Sequence, residues 1–370
     1  MQSTIKHDIA FLDFLRGWSA LLVFFHHAAI LGGGPGVFSG NIGHEAVNAF
    51  LLASGFLIYF QCSISKMYYG LKNKTGVKNF YIRRIFRIAP VYYFCLIIAL
   101  ILSEYIGLSR EVIAATLPQS NTDMSRYYIS EPIQSFFIHA SFIFGFLPSY
   151  SFSTPLPDWS LGLEMQFYLV FPILFFFYKK NFVTFFTVSL VGMLGAWYIS
   201  NEMGLIFPMP SYLPLKFHNF AAGIALAYLL LNKENQSNSD YFIIITTIIF
   251  LAIGNKTAYV PLLFIFSWWW LCKKDNSQNY ILNFTERLFN HKSSKFLAEM
   301  SYSIYIFHLI LMPPFFAFAI NDGKLSFVKW VLFSCLLLAS TMIFSHFIYK
   351  YIEIPGINIG KKLAAPPNKF

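Results

Sequence analysis

"FLDFLRGWSALLVFFHHAAILGG" (Phe11 to Gly33) is apolar enough to cross a bilayer as one helix, yet it carries Asp13, Arg16, His26 and His27. Hydrocarbon tolerates an ionisable side chain only when it is paired or lines a wet cavity. Arg16 and His27 are eleven residues apart, which on a helix is close to three turns and about 16 Å of rise. Both side chains therefore project from nearly one face, while His26 lies about 100° round the helix. The stretch predicts a membrane helix with a polar stripe. For Arg16 the alternative is snorkelling to the near interface with Asp13 as an i, i+3 partner; His27 lies too deep for that. The segment does not read as a cleavable leader, because Asp13 and Arg16 interrupt the apolar run and no small-x-small site follows.

Working outward, the 370 residues are 56% hydrophobic, 20% aromatic and only 12% charged, about half the charged share of a soluble domain (about 25%). Many stretches approach the roughly 20 apolar residues a bilayer crossing requires. The fold class is all-α: a polytopic transmembrane bundle of about ten spans with both termini cytoplasmic. The spans are read at 10–31, 43–65, 88–108, 158–178, 181–200, 214–232, 241–255, 258–272, 296–317 and 326–350. In domain terms, 1–355 is a membrane domain and 356–370 a cytoplasmic tail. Cys62, Cys95, Cys272 and Cys335 are scattered in or beside apolar spans and suggest neither disulfides nor a metal.

The net charge of +10 could suggest nucleic acid, but its distribution has another explanation. With the N-terminus inside, the cytoplasmic segments collect twenty of the twenty-seven Lys and Arg residues, as the positive-inside rule requires. No nucleic-acid partner is needed; membrane lipids are the expected surroundings. Residues 133–148 are apolar but short. Counting them as a crossing would send every later basic cluster outside, so they are read as re-entrant or surface-lying.

Three further stretches carry ionisable groups. "FYIRRIFRIAP" places Arg83, Arg84 and Arg87 just before the third span. Guanidinium forks match phosphate oxygens, so the cluster could clamp the phosphates of a coenzyme A; contact with anionic lipid is the plainer account. "DWSLGLEMQFYLVFP" puts Asp158 and Trp159 at an outer interface, where Trp159 reads as a belt residue. Glu164 lies one to two turns inside, where its carboxylate needs a partner. "SYSIYIFH" sets Ser301, Tyr305 and His308 on one helix face as a polar lining, with structural hydrogen bonding an equal account of His308. Glu353 reads as a helix end before Pro355. His7, His44, His139, His218, His291 and His346 form no recognisable constellation.

Together these residues resemble the acyltransferase-3 family of integral membrane acyltransferases, the class that O-acetylates bacterial surface polysaccharides. "LDFLRGWSALLVFFHH" is similar to its first-span signature of Arg-Gly, ten intervening residues, then His. "FLLASGF" (Phe50 to Phe56), "RRIFRIAPVYY", "WSLGLEMQFYLVFP", "SYSIYIFHLI" and "EIP" (353–355) follow in the family's order. Ser19 stands where Ala is usual and Leu51 where Phe is common; the ten-residue interval selects His27 from the doubled histidine. With no esterase-like domain after the membrane part, the stand-alone form is expected.

The resemblance implies transfer of an acyl group, usually acetyl from cytoplasmic acetyl-CoA, to a hydroxyl of an extracytoplasmic or lipid-linked glycan such as O-antigen, capsule or exopolysaccharide. The setting it implies is the bacterial inner membrane. Acyl-CoA is then a donor substrate, with no permanently bound cofactor and no metal. His27 is expected as general base or acyl carrier, and Arg16 as orienter of pantetheine or stabiliser of the oxyanion. Arg83, Arg84 and Arg87 would bind the nucleotide phosphates, while Glu164, Tyr305 and His308 would shape the polar cavity or acceptor side. The competing reading is a secondary transporter using Arg16, His27 and Glu164 as a proton relay. Against it, no pair of Gly/Pro-broken spans recurs in matching halves. A structural or channel subunit would leave the buried charges unexplained.

Overall fold

The computed structural model describes residues 10–233, 238–273, 279–320 and 323–364; Lys6, His7, Lys274 and the last six residues lie outside them. Every regular element among these residues is helical. In chain order they are α1 (Ala10–Gly32), α2 (Ile42–Ile64), α3 (Lys74–Ile101), α4 (Ser103–Thr116), α5 (Pro132–Ala140), α6 (Trp159–Lys180) and α7 (Phe182–Glu202). There follow α8 (Phe217–Leu231), α9 (Asn238–Gly254), α10 (Tyr259–Lys273), α11 (Tyr280–Phe289), α12 (Lys292–Ala319), α13 (Phe327–Ile348) and α14 (Ile354–Leu363). Seven stretches are long and apolar enough to cross a membrane: α1, α2, α3, α6, α7, α12 and the continuous run Phe327–Leu363. The expected spans at 214–232, 241–255 and 258–272 correspond to α8, α9 and α10, which are apolar but shorter, at 15, 17 and 15 residues.

Two expectations change, at the third and the last span. The third span begins at Lys74, where Asn73 accepts a hydrogen bond from the Gly76 amide (2.7 Å) and caps α3. Arg83, Arg84 and Arg87 therefore sit two to three turns inside a 28-residue helix instead of before it. Residues 133–148, expected not to cross, form the nine-residue α5 and short turns, too little helix for a crossing. The last helix does not end near 350. A π-turn over Tyr349–Glu353 joins α13 to α14, and α14 packs on α3 instead of trailing as a tail: Gly356 and Gly360 face Pro90 and Phe86. The extra residue in a π-turn rotates the faces that follow, which turns Glu353 inward, 2% exposed, to accept from the Ser303 hydroxyl (2.8 Å).

α1 lies at the centre, packed most extensively on α12 and then on α2, which in turn packs on α8. Two glycines permit these approaches. A Cβ at Gly17 would lie 2.7 Å from the Leu297 Cβ, so the residue after Arg16 must be small for α12 to close. At Gly55 a Cβ would meet the Phe220 carbonyl oxygen at 2.1 Å, where α2 and α8 touch backbone to backbone. Close approach through small residues is how membrane helices gain packing without a hydrophobic driving force.

Candidate active site

Two cavities open at opposite ends of α1. The first, about 440 Å³, gathers Arg16 and Asp13 from α1 with Ser54 and Gln61 from α2. Arg83, Arg84 and Arg87 come from α3, Glu164 and Tyr168 from α6, Tyr302 from α12, and Lys361 from α14. It thus joins five cations to two carboxyl groups. Arg84 is buried, donates to Gln61 Oε1 (2.7 Å), and lies over the rings of Phe80 and Tyr168, each 5.7 Å away. Its Nε has no partner. Arg83 lies over Tyr68 and Arg16 over Phe50, both at 5.8 Å. No ion pair within 4 Å ties Arg16 to Asp13 among the described residues. Glu164 is held instead by the Ser54 hydroxyl, which donates to its Oε1 at 2.6 Å. Arginine forks braced by aromatic faces, with donors left open to a cavity, suit phosphate oxygens.

The second cavity, about 550 Å³, is lined by His26, His27, His44, Arg110, Arg126, Tyr127, Phe152, Trp159 and Lys324, among others. His27 Nδ1 lies 2.9 Å from His308 Nε2. The proton order of this pair follows from what lies behind it. His308 Nδ1 faces the carbonyl oxygens of Tyr305 (2.7 Å) and Ile304 (3.1 Å), and a carbonyl can only accept, so that nitrogen carries hydrogen. With both rings neutral, His308 Nε2 is then an acceptor and His27 Nδ1–H donates to it. The lone pair of His27 therefore resides on Nε2, which has no protein partner among the described residues and is left for the cavity. Its neighbour His26 donates Nδ1–H to the Phe38 carbonyl (2.8 Å), and its ring packs against Gly43. His26 thus pins the turn that follows α1.

Between the cavities lies a void of only about 20 Å³, lined by Ser19, Ala20, Val23, Ala46, Val47, Phe50, Ser160, Leu161, Tyr302 and Tyr305. Phe50 and Tyr302 also line the arginine cavity, and Val23 is one helical turn before His27. Arg16 and His27 thus line separate cavities with a constriction between them, instead of sharing one. Tyr305 fixes that constriction: its hydroxyl donates to the Pro157 carbonyl (2.8 Å) and accepts from the Ser160 hydroxyl (2.9 Å).

The placement of the other expected residues follows. Glu164 belongs to the arginine cavity; His308 stands behind His27 at the other end, and Tyr305 at the constriction. Ser301 turns back to the Ala298 carbonyl of its own helix (2.8 Å). Trp159 is not a belt residue but buried, 5% exposed, against the histidine cavity. Asp158 is buried too. It accepts from the hydroxyls of Tyr92 (2.9 Å) and Thr154 (3.1 Å) and from His139 Nδ1 (3.0 Å), whose Nε2 meets the Ser153 hydroxyl at 2.9 Å. This network holds the 150–158 segment that forms one wall.

Sequence reasoning missed His139, His44, Arg110 and Arg126, supplied by short helices, helix ends and turns outside any motif. Buried outside the spanning helices, Arg110 and Arg126 have their guanidinium pKa values lowered below the ordinary arginine range by loss of hydration. Neither forms an ion pair among the described residues. A buried charge without an ion-pair partner costs on the order of several kcal/mol.

Among the described residues no three His, Cys, Asp or Glu side chains gather as metal ligands. Residues 9–350 match a family model described as an acyltransferase domain. Proteins named "Putative O-acetyltransferase" in Staphylococcus aureus strains COL, MSSA476 and MRSA252 are each 24% identical over 344 residues. The match covers 85% of this chain and 52% of theirs, so the chain spans about half the length of these curated relatives. No solved structure matches. With a family match over nearly its whole length and a bundle of apolar helices built around the Arg-Gly…His segment, this chain is a membrane protein belonging to the acyltransferase-3 family.

Proposed function

We propose that the protein moves an acetyl group from cytoplasmic acetyl-CoA, bound at the arginine cavity, to a glycan hydroxyl bound at the histidine cavity on the far side of the inner membrane. The observation that carries this reading is the axial order of the parts along α1: a cationic cavity, a narrow throat, and an imidazole whose free nitrogen faces a second cavity. The nucleotide of coenzyme A is too charged to enter hydrocarbon, and Arg83, Arg84, Arg87 and Lys361 offer its phosphates a stopping place. The pantetheine arm then passes Arg16, Phe50 and Tyr302 into the throat. Arg16 is about 16 Å along α1 from His27, so it acts on the arm or the phosphates and not on an oxyanion beside His27.

At the far end His27 Nε2 takes the proton of the acceptor hydroxyl as its oxygen attacks the thioester carbonyl. The C–S bond breaks, and the coenzyme A thiolate recovers the proton. The same lone pair serves a two-step route in which Nε2 attacks first and carries the acetyl to the hydroxyl. In both, His308 is a positioning residue that holds the His27 tautomer, as a hydrogen-bonded carboxylate does in a hydrolase triad. Supplying carbon-14 acetyl-CoA to inside-out membrane vesicles containing the protein tests the reading. Label is expected in glycan within the vesicle lumen; a correctly inserted protein that leaves all glycan unlabelled would overturn it.

A further inference from the structure

We infer that the acceptor is an anionic glycan, whose carboxylate or phosphate is held by Arg110, Arg126 and Lys324 while a neighbouring hydroxyl faces His27. This inference deepens the acyltransferase reading and rests on it for the role of the histidine cavity.

The first support is charge. The residues lining this cavity include three cations and no Asp or Glu, whereas Asp13 and Glu164 partly offset the arginines of the other cavity. The second is burial without an ion pair among the described residues. Arg110 and Arg126 are 5% and 4% exposed. Arg126 donates from Nε and one Nη to the Thr154 carbonyl, the same Nη reaches the Leu156 carbonyl (3.1 Å), and the guanidinium lies over the Phe152 ring at 3.6 Å. Arg110 donates one Nη to the Ser120 carbonyl, while its Nε has no partner. Carbonyl dipoles hold these groups in place without neutralising them. Asp158 and Asp123 act on Arg126 from beyond ion-pair distance, and none of the nearby carboxylates lines the cavity: Asp158 is held by Tyr92, Thr154 and His139, and Glu111 by the Tyr128 hydroxyl. Lys324 is exposed and stands at the rim. A bound anion supplies the counter-charge that the cavity lining lacks.

The cavity also suits a sugar. Its volume of about 550 Å³ lies in the range of small-molecule sites, about 300–1,000 Å³. Trp159, Tyr127 and Phe152 offer apolar faces beside polar Gln119, Asn121 and Thr122. The anion has two chemical sources, the carboxylate of an acidic sugar or the phosphate of a lipid-linked carrier.

The test measures binding to the full chain in lipid nanodiscs, using three probes: trigalacturonate, its carboxyl-reduced neutral trisaccharide, and a polyprenyl diphosphate. Binding of coenzyme A is followed in parallel. At least one acidic probe is expected to bind tenfold or more tighter than the neutral trisaccharide. Arg110→Gln should cut that affinity at least fivefold, and Lys324→Gln should cut it to a lesser degree. Coenzyme A affinity should stay within twofold in both variants, which also verifies folding. Preference for trigalacturonate assigns the anion to the sugar, and preference for the diphosphate assigns it to the carrier. Equal binding of acidic and neutral probes, absence of acidic-probe binding, or an acid preference undiminished in both variants overturns the proposal. Acid preference without coenzyme A binding would instead sink the acyltransferase reading and leave an anion site standing.

Discussion

Of the two adjacent histidines in α1, one is structural and the other is left with a free nitrogen. The ring of His26 is tied to the Phe38 carbonyl, whereas His27 Nδ1 is tied to His308 and Nε2 is left over. His27→Ala should lower acetyl transfer by at least 10³-fold with the protein still inserted, and His26→Ala by less than tenfold. Removing His308 should lower kcat by about 10²-fold, within the range of a general acid–base contribution, with the acyl-CoA KM within about twofold. It should also displace the acidic limb of the pH–rate profile, because His27 then titrates without its partner. A purely structural His308 would lower the amount of folded protein and leave that limb where it was. The interval from Arg16 singles out His27 in the sequence, and the structure places it at the second cavity. The His27–His308 contact was not legible there, since 281 positions separate the two rings and only the packing of α12 on α1 brings them together. His139 and Asp158 escaped for the same reason: α5 and the start of α6 meet through a loop whose course no local pattern encodes.

Five of the six blocks of the signature supply a helix with both a packing surface and a residue at a cavity or directly behind it. Gly17 lets α12 close beside Arg16, and Gly55 lets α8 close beside Ser54, whose hydroxyl holds Glu164. Apolar periodicity marked these helices well. It misjudged α3, whose first turns carry the exposed polar residues Lys74, Thr75 and Lys78 ahead of the cavity-lining Arg83, Arg84 and Arg87, and α13, whose π-turn leaves no compositional trace. Two predictions belong to this scale. Arg83→Gln with Arg87→Gln should raise the acyl-CoA KM at least tenfold while kcat changes less than threefold, because these forks bind ground state and transition state alike. Steady-state kinetics over a range of acyl-CoA concentrations decides it; an unchanged KM would return the pair to contact with lipid headgroups. Phe50 borders both the arginine cavity and the throat. Phe50→Ala should therefore raise the butyryl-to-acetyl ratio of kcat/KM by about tenfold, in line with the roughly 10–200-fold a methylene is worth in a tight pocket. A ratio that does not move would show that acyl size is judged elsewhere.

At the scale of the whole molecule, the placement of charge and the placement of cavities have to agree. The cationic cavity lies at the end of the bundle where α2 and α6 finish and α3 and α12 begin, the end that also carries the Lys179–Lys180 pair and the basic 66–87 segment. Positive-inside bias predicts a cytoplasmic location for that end, as the proposed use of cytoplasmic acyl-CoA requires, and an outer one for the histidine cavity. That expectation of orientation comes from composition alone, because insertion responds to summed charge and not to fine geometry. The two separate cavities were not legible, since they arise from gaps among six or more helices. In a variant stripped of its own cysteines, Asn181→Cys (between α6 and α7) and Glu202→Cys (at the far end of α7) report the two faces. A membrane-impermeant maleimide applied to intact cells should label Glu202→Cys at once and Asn181→Cys only after permeabilisation. The reverse pattern would open the arginine cavity to the exterior, beyond the reach of cytoplasmic acyl-CoA, and a donor site there would lose its physical basis.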